Sequence, residues 1–362
     1  MNAPNKSLFA GFDADDRGLR SGLYGYGFSL RKQSIVRRFA RGMKVHFTSH
    51  LKHMPPGSSL LLWGSRTVPP DVTPETTIIR IEDGFLRSVG LGADLVNPVS
   101  LVADRRGIYY DATQPSDLEH ILQTATFSAG LLQRAAGLRA RIIDNRLTKY
   151  CVGNGCWNRA RASWYQGQRV VLVPGQVETD ASVQFGAPGI RTNIGLLRAV
   201  REAEPDAYII YKPHPDVAAG LRSKGEREDQ AQWWCNEILD GVSMAELLAE
   251  VDEVHVMTSL TGFEALLRRK PVTCYGQPFY SGWGLTRDML PLDRRTRRLS
   301  LDMLTAGALI LYPAYVNRMT GMPASPESAL DDLLTWKEKS PDRLSIGRKM
   351  TRFVTKSFFS QP

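Results

Sequence analysis

Cysteine is scarce in this chain, and long apolar runs and a secretion signal are missing. The 362 residues include four cysteines, Cys151, Cys156, Cys235 and Cys274, with no Cys-x-x-Cys pair and no histidine nearby at zinc-binding spacing. This excludes a disulfide scaffold or a zinc module and predicts reduced thiols. No apolar stretch approaches the roughly 20 residues of a transmembrane helix. Because the first residues lack the apolar segment of a secretory signal, we expect a cytoplasmic protein.

Several binding signatures are also absent from the sequence. There is no Gly-x-Gly-x-x-Gly turn, which argues against a dinucleotide enzyme. There is no zinc finger, helix-turn-helix or aromatic RNA-binding motif, so we expect no nucleic-acid partner. A convincing Asp-x-Asp ahead of a nucleotide site is missing as well, and we therefore expect no metal.

Basic residues outnumber acidic ones, which gives a formal net charge of +9 and an isoelectric point near 9.4. Much of the excess lies before Arg66 and in the tail. A positive chain needs an anionic partner, and this distribution suits an anionic membrane surface or an anionic polymer. In the tail, apolar residues share one face with basic flanks, which predicts an interfacial helix over residues 346–358. Packing of that helix onto the first domain is the alternative.

The length of the chain predicts more than one hydrophobic core. Strands and helices alternate in two halves, which meet at a glycine-rich connection, residues 152–155. We predict a first domain over residues 1–150, a second over 151–300, and a largely helical segment with the basic tail over 301–362.

A buried strand over residues 170–173 opens the second domain and ends abruptly at Pro174-Gly175. In an open α/β sheet, ligands bind beyond the carboxyl ends of the strands. The polar residues that follow therefore lie where chemistry is expected, and they are Gln176, Glu178, Thr179, Asp180 and Ser182. The alternative is that Thr179-Asp180 only caps the next helix.

Two adjacent carboxylates, Glu82 and Asp83, follow the strand predicted over residues 77–81. Carboxylates in such a place are costly unless they are paired or used, and three arginines are available as partners: Arg66, Arg80 and Arg87. One interpretation is a turn held by salt bridges. The other is that one carboxylate faces a cleft and transfers a proton, while the arginines bind an anionic sugar.

The sequence Lys212-Pro-His-Pro215 follows another predicted strand, residues 207–211. A single histidine is usually structural, and flanking prolines stiffen a loop. A rigid loop beyond a strand end also lets His214 present its imidazole to an anion at little entropic cost, and Lys212 adds positive charge.

A third strand, residues 254–257, leads into a helix that starts with Ser259, Thr261 and Gly262. Such a helix start offers free backbone N–H groups and the positive end of the helix dipole, which favours phosphate binding. An ordinary serine cap is the alternative. Further on, Trp283 either stacks on a base or sugar or packs into the domain junction.

These features together predict an α/β fold with two facing Rossmann-like domains and a C-terminal helical segment. This is the GT-B architecture of glycosyltransferases. In such an enzyme the leaving phosphate would be neutralised by His214, Lys212 and the helix at Ser259.

Several blocks of sequence resemble the KpsC-type capsule polysaccharide proteins. Two of them are Val-Pro-Gly-Gln-Val-Glu-Thr-Asp-Ala-Ser at 173–182 and Tyr-Lys-Pro-His-Pro-Asp-Val at 211–217. The remaining blocks lie at 80–92, 100–111, 147–150 and 258–280, so that the resemblance covers about residues 63–286. A joint match of this many blocks is highly specific.

Proteins of this family are bacterial retaining β-Kdo transferases, which use CMP-Kdo to transfer the acidic sugar Kdo. The resemblance implies that Asp180 is the nucleophile, that Glu82 is the acid/base candidate, and that His214 belongs to the CMP site. A double displacement needs a carboxylate below the anomeric carbon and a second group to deprotonate the acceptor. Because Kdo carries a carboxylate, a basic pocket is also expected. The donor-binding residues that we predict are Gln176, Arg87, Lys212, His214, Pro215, Ser259, Thr261, Gly262 and Glu264.

The expected partners are CMP-Kdo, a Kdo-terminated glycolipid acceptor, the inner face of the inner membrane and other capsule synthesis or export proteins. KpsC carries two transferase modules, whereas this chain has length for one and is more similar to the second. It either adds one type of linkage or works with a separate partner. Two alternatives stay open: another CMP-sugar transferase, such as a sialic-acid-type enzyme, or a non-catalytic export scaffold. A scaffold would not need the intact carboxylates and His214.

Overall fold

The computed structural model describes residues 8–9, 22–52, 54–88, 96–149, 155, 157–160 and 168–339. These residues form two lobes, each built on one β-sheet. The interfacial helix predicted for the tail lies outside the described residues. Cys235 and Cys274, the cysteines within the described part of the chain, are free thiols as predicted.

The first lobe contains a sheet whose first five strands are β1 (Leu23–Tyr26), β2 (Val45–Thr48), β3 (Ser59–Trp63), β4 (Thr77–Asp83) and β5 (Ser100–Asp104). Strands β2, β1, β3 and β4 lie side by side and run parallel, while β5 is antiparallel to β4. Leu60, Leu61 and Leu62 of β3 are fully buried, as expected for a strand covered on both faces. Glu82 and Asp83 belong to the end of β4, whereas the sequence prediction ended this strand at residue 81.

The helices of the first lobe are α1 (Leu30–Phe39), α2 (Asp117–Thr124) and α3 (Ala129–Asp144). The bounds of α1 match the sequence prediction. It begins at Ser29, whose hydroxyl accepts a hydrogen bond from the Lys32 N–H, and it buries an apolar face that includes Val36 and Phe39. The break predicted near Gly130 lies just before α3, where Ser128 caps the new helix.

The chain returns to the first sheet near its C-terminal end through β12 (Ala314–Val316) and β13 (Pro323–Ala324). Strand β12 pairs antiparallel with β5, which completes the order β13-β12-β5-β4-β3-β1-β2. The sequence predicted largely helical structure after residue 302. Strands of three and two residues are too short to show a period-two pattern. Helix α10 (Pro326–Lys339) follows and packs on α3.

The second lobe contains a parallel sheet of six strands: β6 (Val170–Pro174), β7 (Tyr208–Lys212), β8 (Glu237–Ile238), β9 (Glu253–Val256), β10 (Val272–Cys274) and β11 (Arg287–Asp288). Their order is β11-β10-β9-β6-β7-β8. The chain runs outward from β6 to β8 and then crosses to β9 on the other side of β6. The strand order thus reverses between β6 and β9, and this switch point is where open α/β sheets bind ligands.

Both faces of the second sheet are buried. The helices of this lobe are α4 (Ala181–Gly186), α5 (Asn193–Ala203), α6 (Pro215–Ala218), α7 (Met244–Glu250) and α8 (Leu260–Leu267). Alternate residues of β6 enter opposite cores, with Val171 and Val173 on one face and Val170 and Leu172 on the other. Two-sided burial explains the continuous apolar run that the sequence shows at this strand.

The two lobes share a hydrophobic core. Phe85 of the first lobe packs against Phe279 and Phe263 of the second, with ring centroids 4.5 and 5.9 Å away. Helix α9 (Leu301–Thr305) continues into a π-helical turn, and both pack on α3. Trp283 is fully buried and donates its Nε1–H to the Phe279 carbonyl, so the packing alternative for this residue is correct. Among the described residues, no helix combines the length and the apolarity needed to cross a membrane.

Candidate active site

A cavity of about 430 Å³ lies between the carboxyl ends of the two sheets. The second-lobe wall is formed mainly by the segments that follow β6, β7 and β9. Of these strands, β6 and β9 flank the switch point. The first-lobe wall is formed by the end of β4 and by two loops. The polar lining includes Glu82, Asp83, Tyr110 and Lys149 from the first lobe, and Gln176, Asp180, Lys212, His214, Ser259, Thr261 and Glu264 from the second.

Asp180 occupies the N-cap position of α4, but its side chain makes no capping hydrogen bond. Its carboxylate is 43% exposed and lies 3.4 Å from Arg222. An aspartate at an N-cap normally accepts a bond from the first turn of the helix. Because this one does not, its carboxylate stays open to the cavity, and the capping alternative does not describe its side chain.

His214 is the N-cap of α6, and its Nδ1 accepts a hydrogen bond from the Asp216 N–H at 3.2 Å. A ring nitrogen that accepts carries no proton, which assigns the proton of the neutral ring to Nε2. Burial lowers the pKa of His214 to about 4, against the opposing charge of Asp180. The imidazole is therefore neutral at pH 7 and offers Nε2–H as a donor.

Lys212 is the last residue of β7 and is 8% exposed. Burial lowers its pKa, while the charge of Asp240 acts in the opposite direction. Pro215 takes the first position of α6, where a residue without an N–H costs nothing. Lys212, His214 and Pro215 all line the cavity, as the sequence predicted for a stiff loop beyond a strand end.

Gln176 bridges the switch point. Its amide nitrogen donates to the Thr258 hydroxyl at 2.9 Å, and its amide oxygen accepts from the Thr258 N–H at 2.9 Å. The backbone of Gln176 pairs in the same reciprocal way with the side chain of Asn193. The two bonds with Thr258 fix the loop that carries Asp180 to the strand end that precedes α8, and the two with Asn193 fix the same loop to the start of α5. Gln176 lines the cavity, but its side-chain amide is already engaged.

The start of α8 contributes Ser259 and Thr261 to the cavity wall. The Ser259 hydroxyl accepts from the Thr261 N–H at 3.2 Å, as an ordinary cap does. The Ser259 carbonyl accepts from the Tyr280 hydroxyl. Gly262 lies outside the cavity lining, and its role is to make room, because a Cβ there would lie 2.3 Å from the Tyr280 hydroxyl oxygen.

We expect Gly262→Ala to destabilise the protein by about 2 kcal/mol, because the added methyl group displaces Tyr280 and breaks its bond to Ser259. Urea denaturation measures the change. Gly137→Ala in α3 is the matched control, since no atom lies within 4 Å of a Cβ at that position. The free energy of unfolding of the control should increase by up to about 1 kcal/mol, because alanine has a higher helix propensity than glycine. Equal stability of the two variants would contradict the packing argument.

Glu264 links the two lobes. It is 8% exposed, and one of its oxygens accepts a hydrogen bond from the Lys149 N–H at 2.7 Å. Burial raises the pKa of Glu264. Arg268, one turn further along, donates to the Leu147 carbonyl at 2.9 Å. Glu264 lines the cavity as predicted, and it also fixes the loop that brings Lys149 to the opposite wall.

Glu82 has an unusual environment at the end of β4. Burial and then repulsion from Asp83 raise the pKa of Glu82 to about 7, although the Asp83 N–H donates to its Oε1 at 2.9 Å. Tyr110 lies on the same wall, and burial raises its pKa too. A carboxyl group that titrates near pH 7 inside a cavity is suited to accept or donate a proton.

Arg87 lies behind this wall, outside the cavity lining. It pairs with Asp83 at 2.6 Å and donates to the Ser88 hydroxyl and the Val96 carbonyl. Its 4% exposure leaves no surface for a sugar carboxylate. Arg80 donates to backbone carbonyls of the loop after β3. The salt-bridge interpretation therefore applies to Asp83, and it does not apply to Glu82.

Apart from Arg87 and Gly262, the catalytic and donor-binding residues predicted from the sequence all line this cavity. Glu178 and Thr179, which the sequence also placed beyond the end of β6, lie outside the lining, and Glu178 accepts hydrogen bonds from the Asn193 and Glu226 N–H groups. The sequence prediction missed Tyr110, Lys149 and Arg222. A signal existed for the first two, because both lie in blocks that carry the family resemblance. Arg222 follows α6 in a loop without a pattern, so only the fold brings it to Asp180.

Another polar cluster, Glu204, Glu253 and His255, lies at the opposite edge of the second sheet. The nitrogen and oxygen atoms of these residues are within 4.8 Å of one another, a spacing that would suit a metal ion. Arg169 pairs with both carboxylates. The hydrogen bond that His255 donates to Glu253, together with one from Thr273 and the charge of Arg169, lowers the pKa of Glu253 to about 2 against the effect of burial. The cluster is at the amino ends of the strands and does not reach the cavity.

Comparison with known proteins identifies the family. Residues 73–322 match the family model described as capsule polysaccharide biosynthesis protein. The capsule polysaccharide modification protein LipA of Neisseria meningitidis serogroup A is 42% identical over 340 residues, which is 91% of this chain and 48% of LipA. This chain thus spans about half the length of that curated relative.

Two solved structures from Thermosulfurimonas dismutans are similar along their whole length. The chain described as KpsC, beta Kdo 2,7 transferase, is 41% identical with a TM-score of 0.73, covering 88% of this chain and all of that one. The chain described as KpsC, beta Kdo 2,4 transferase, is 31% identical with a TM-score of 0.74, covering 86% and 98%. These likenesses confirm the predicted GT-B-like fold. The chain therefore belongs to the capsule polysaccharide biosynthesis protein family.

Proposed function

We propose that this chain is a retaining glycosyltransferase that moves β-Kdo from CMP-Kdo to a Kdo-terminated glycolipid in capsular polysaccharide synthesis. One observation carries the proposal: Asp180, His214 and Glu82, from three separate stretches of sequence, line one cavity between the two lobes. The whole-length similarity to two β-Kdo transferase structures supports the same assignment.

The donor site that we propose is the second-lobe wall. The phosphate of CMP-Kdo binds between the N-terminus of α8, the Nε2–H of His214 and the ammonium of Lys212. A helix N-terminus provides N–H donors and a positive dipole end, and neighbouring donors add charge-assisted hydrogen bonds. These groups neutralise the leaving phosphate, and the proposal assigns no metal to the site.

The chemistry has two steps. First, a carboxylate oxygen of Asp180 attacks the anomeric carbon, the bond to the phosphate oxygen breaks, and CMP leaves with the electron pair. Second, an acceptor hydroxyl gives its proton to Glu82 and attacks the same carbon, and Asp180 departs as a carboxylate. Two inversions at one carbon retain the configuration. The pKa of about 7 makes Glu82 a suitable base near neutral pH.

We propose a β-2,7 linkage, because the identity to the 2,7 transferase is 41% and that to the 2,4 transferase is 31%. This chain spans about half of LipA, and we propose that the cavity between its two lobes forms one type of linkage. The positive charge of the chain suits action at the inner face of the inner membrane, with other capsule synthesis or export proteins as partners.

Product analysis tests the proposal. The protein is incubated with CMP-Kdo and a synthetic Kdo-terminated lipid, CMP release is followed, and the product is analysed by NMR. We expect CMP release that depends on the protein and one added β-linked Kdo at the 7-position. CMP-sialic acid in a parallel reaction tests donor choice. An α-linked product, or no CMP release above the blank, would refute the proposal.

We expect His214→Asn to lower the rate of transfer by about 10²-fold, because the leaving phosphate loses a donor. Asparagine preserves the N-cap acceptor of α6, so the loop should keep its shape. Since the pKa of His214 is about 4, the ratio of wild-type to variant rates should stay constant between pH 6 and 9. His46→Ala, an exposed histidine on edge strand β2, is the control. A ratio that changes around pH 6.5 would indicate that His214 acts as a proton donor.

A further inference from the structure

Positive side chains gather along the first-lobe side of the active site, beyond the cavity lining itself. Strands β1, β3 and β4 are parallel neighbours, so their carboxyl ends meet at one edge of the sheet. The chain after β1 leads into α1 with Arg31 and Lys32, the loop after β3 carries Arg66, and β4 ends in Glu82 and Asp83. The topology therefore brings these five side chains to the same edge.

Contacts between these segments confirm that they are close. The Lys32 ammonium lies 4.4 Å from the centre of the Trp63 ring at the end of β3. Gly27 has a φ of 67°, and a Cβ there would lie 2.8 Å from the Arg66 Nη1, so the guanidinium packs on the turn before α1. The charges of Lys32 and Arg66 repel each other, and both Glu82 and Asp83 attract Lys32.

The positive charge at this edge is not balanced by the protein groups that the structure describes. The Asp83 carboxylate is paired with Arg87. Glu82, with its pKa of about 7, carries only part of a negative charge near neutral pH. Within the described ranges, neither Lys32 nor Arg66 forms an ion pair, and Arg31 donates to the Val96 carbonyl. Burial followed by repulsion from Arg87 lowers the pKa of Arg31.

We infer that Lys32 and Arg66, with Arg31 beside them, form a subsite that binds an anionic group of the acceptor. This inference rests on the proposed function and adds the acceptor side to it. The half-buried ammonium of Lys32 and the exposed guanidinium of Arg66 can bind a carboxylate or phosphate through charge-assisted hydrogen bonds.

The location of the subsite assigns it to the acceptor and not to the donor. The groups proposed for the donor phosphate all belong to the second lobe, on the opposite wall. Glu82, which takes the proton of the acceptor hydroxyl, lies at the same edge of the first sheet as Lys32 and Arg66. An acceptor anchored there presents its hydroxyl to Glu82. Both cations also precede residue 73, where the family match begins, so the subsite lies outside the part that the family model covers.

Acceptor binding can be measured without turnover. Calorimetric titration of a Kdo glycoside without a lipid phosphate is compared for wild type, Lys32→Met, Arg66→Gln and the double variant. Methionine keeps the apolar stem of Lys32 on Trp63. We expect each single variant to bind about tenfold more weakly, and the double variant about 50-fold, because each loses one charged hydrogen bond. Arg41→Gln, an exposed cation just beyond the far end of α1, should bind like wild type.

Kinetics separate this inference from the proposed function. The variants should raise the KM for acceptor by the same factors, and they should leave the KM for CMP-Kdo and the acceptor-independent release of CMP unchanged. A glycoside with its carboxyl group reduced, and one that carries a lipid phosphate, identify which anion is bound. If only the phosphate compound is sensitive to the variants, the subsite binds phosphate. Unchanged acceptor affinity in the double variant would overturn the inference, whereas absence of CMP release by wild type would refute only the proposed function.

Discussion

Replacing Asp180 by asparagine is expected to lower β-Kdo transfer by about 10⁴-fold or more, because an amide cannot form the proposed covalent intermediate. Asparagine has nearly the same shape and keeps an oxygen that Arg222 can contact. The structure gives Asp180 no capping role in α4, so the folded state should lose little stability. The expected loss is therefore chemical, and urea denaturation should confirm an intact fold.

Two measurements locate the loss at the first step. Wild type incubated with CMP-Kdo alone should release CMP and gain the mass of one Kdo residue, whereas Asp180→Asn should do neither. Asp206→Asn is the matched control, since Asp206 is exposed at the amino edge of the same sheet. Transfer by Asp180→Asn within tenfold of wild type would exclude a nucleophilic role for Asp180.

The position of the site could be predicted from the sequence because parallel sheets align the carboxyl ends of their strands. The sequence predicts a buried strand over residues 170–173 and another strand over 207–211, and the structure has β6 and β7 there. When neighbouring strands run in parallel, the residues that follow them lie at the same edge of the sheet, and no further information is needed to predict this. That rule alone brings Asp180, Lys212 and His214 into one cavity.

The orientation of individual side chains could not be predicted in the same way. Arg87 follows the β4 strand end as a sugar-binding residue would, yet it turns back to Asp83 in the interior. Glu264 fixes Lys149, a residue 115 positions away, and thereby connects the lobes. Gly262 is required by Tyr280, which belongs to a later loop. Each of these contacts joins distant segments, and local periodicity contains no information about such pairs.

The chemical state of the titratable groups also depends on the fold. The sequence predicted that His214 would present an imidazole to an anion, but burial and the Asp216 N–H determine that the ring is neutral and donates from Nε2. The sequence alone does not show which of the two carboxylates, Glu82 or Asp83, is paired. In the structure one carboxylate obtains an arginine and the other does not, and this difference leaves Glu82 available for proton transfer.

Glu82→Gln is expected to lower transfer to the acceptor by about 10³-fold, because the acceptor hydroxyl loses its general base. Release of CMP without acceptor should change little, since Glu82 has no part in the first step of the proposed mechanism. Wild-type transfer should rise with pH through about 7 and then level off, as the base works in its ionised form. The residual activity of the variant should show no such rise. Glu75→Gln, an exposed glutamate before β4, is the matched control.

Stability should respond to Glu82→Gln in the opposite direction from activity. Because the pKa of Glu82 is about 7 in the folded state and 4.5 ordinarily, the folded chain binds a proton that the unfolded chain releases between these values. The contribution of Glu82 to stability is therefore present below pH 4.5 and is lost as the pH rises through 7. The free energy of unfolding of the variant, measured relative to that of wild type, should therefore be higher at pH 8 than at pH 5 by up to about 3 kcal/mol. Urea denaturation at both pH values measures the difference, and an equal difference at pH 5 and pH 8 would show that Glu82 ionises normally and is not tuned for proton transfer.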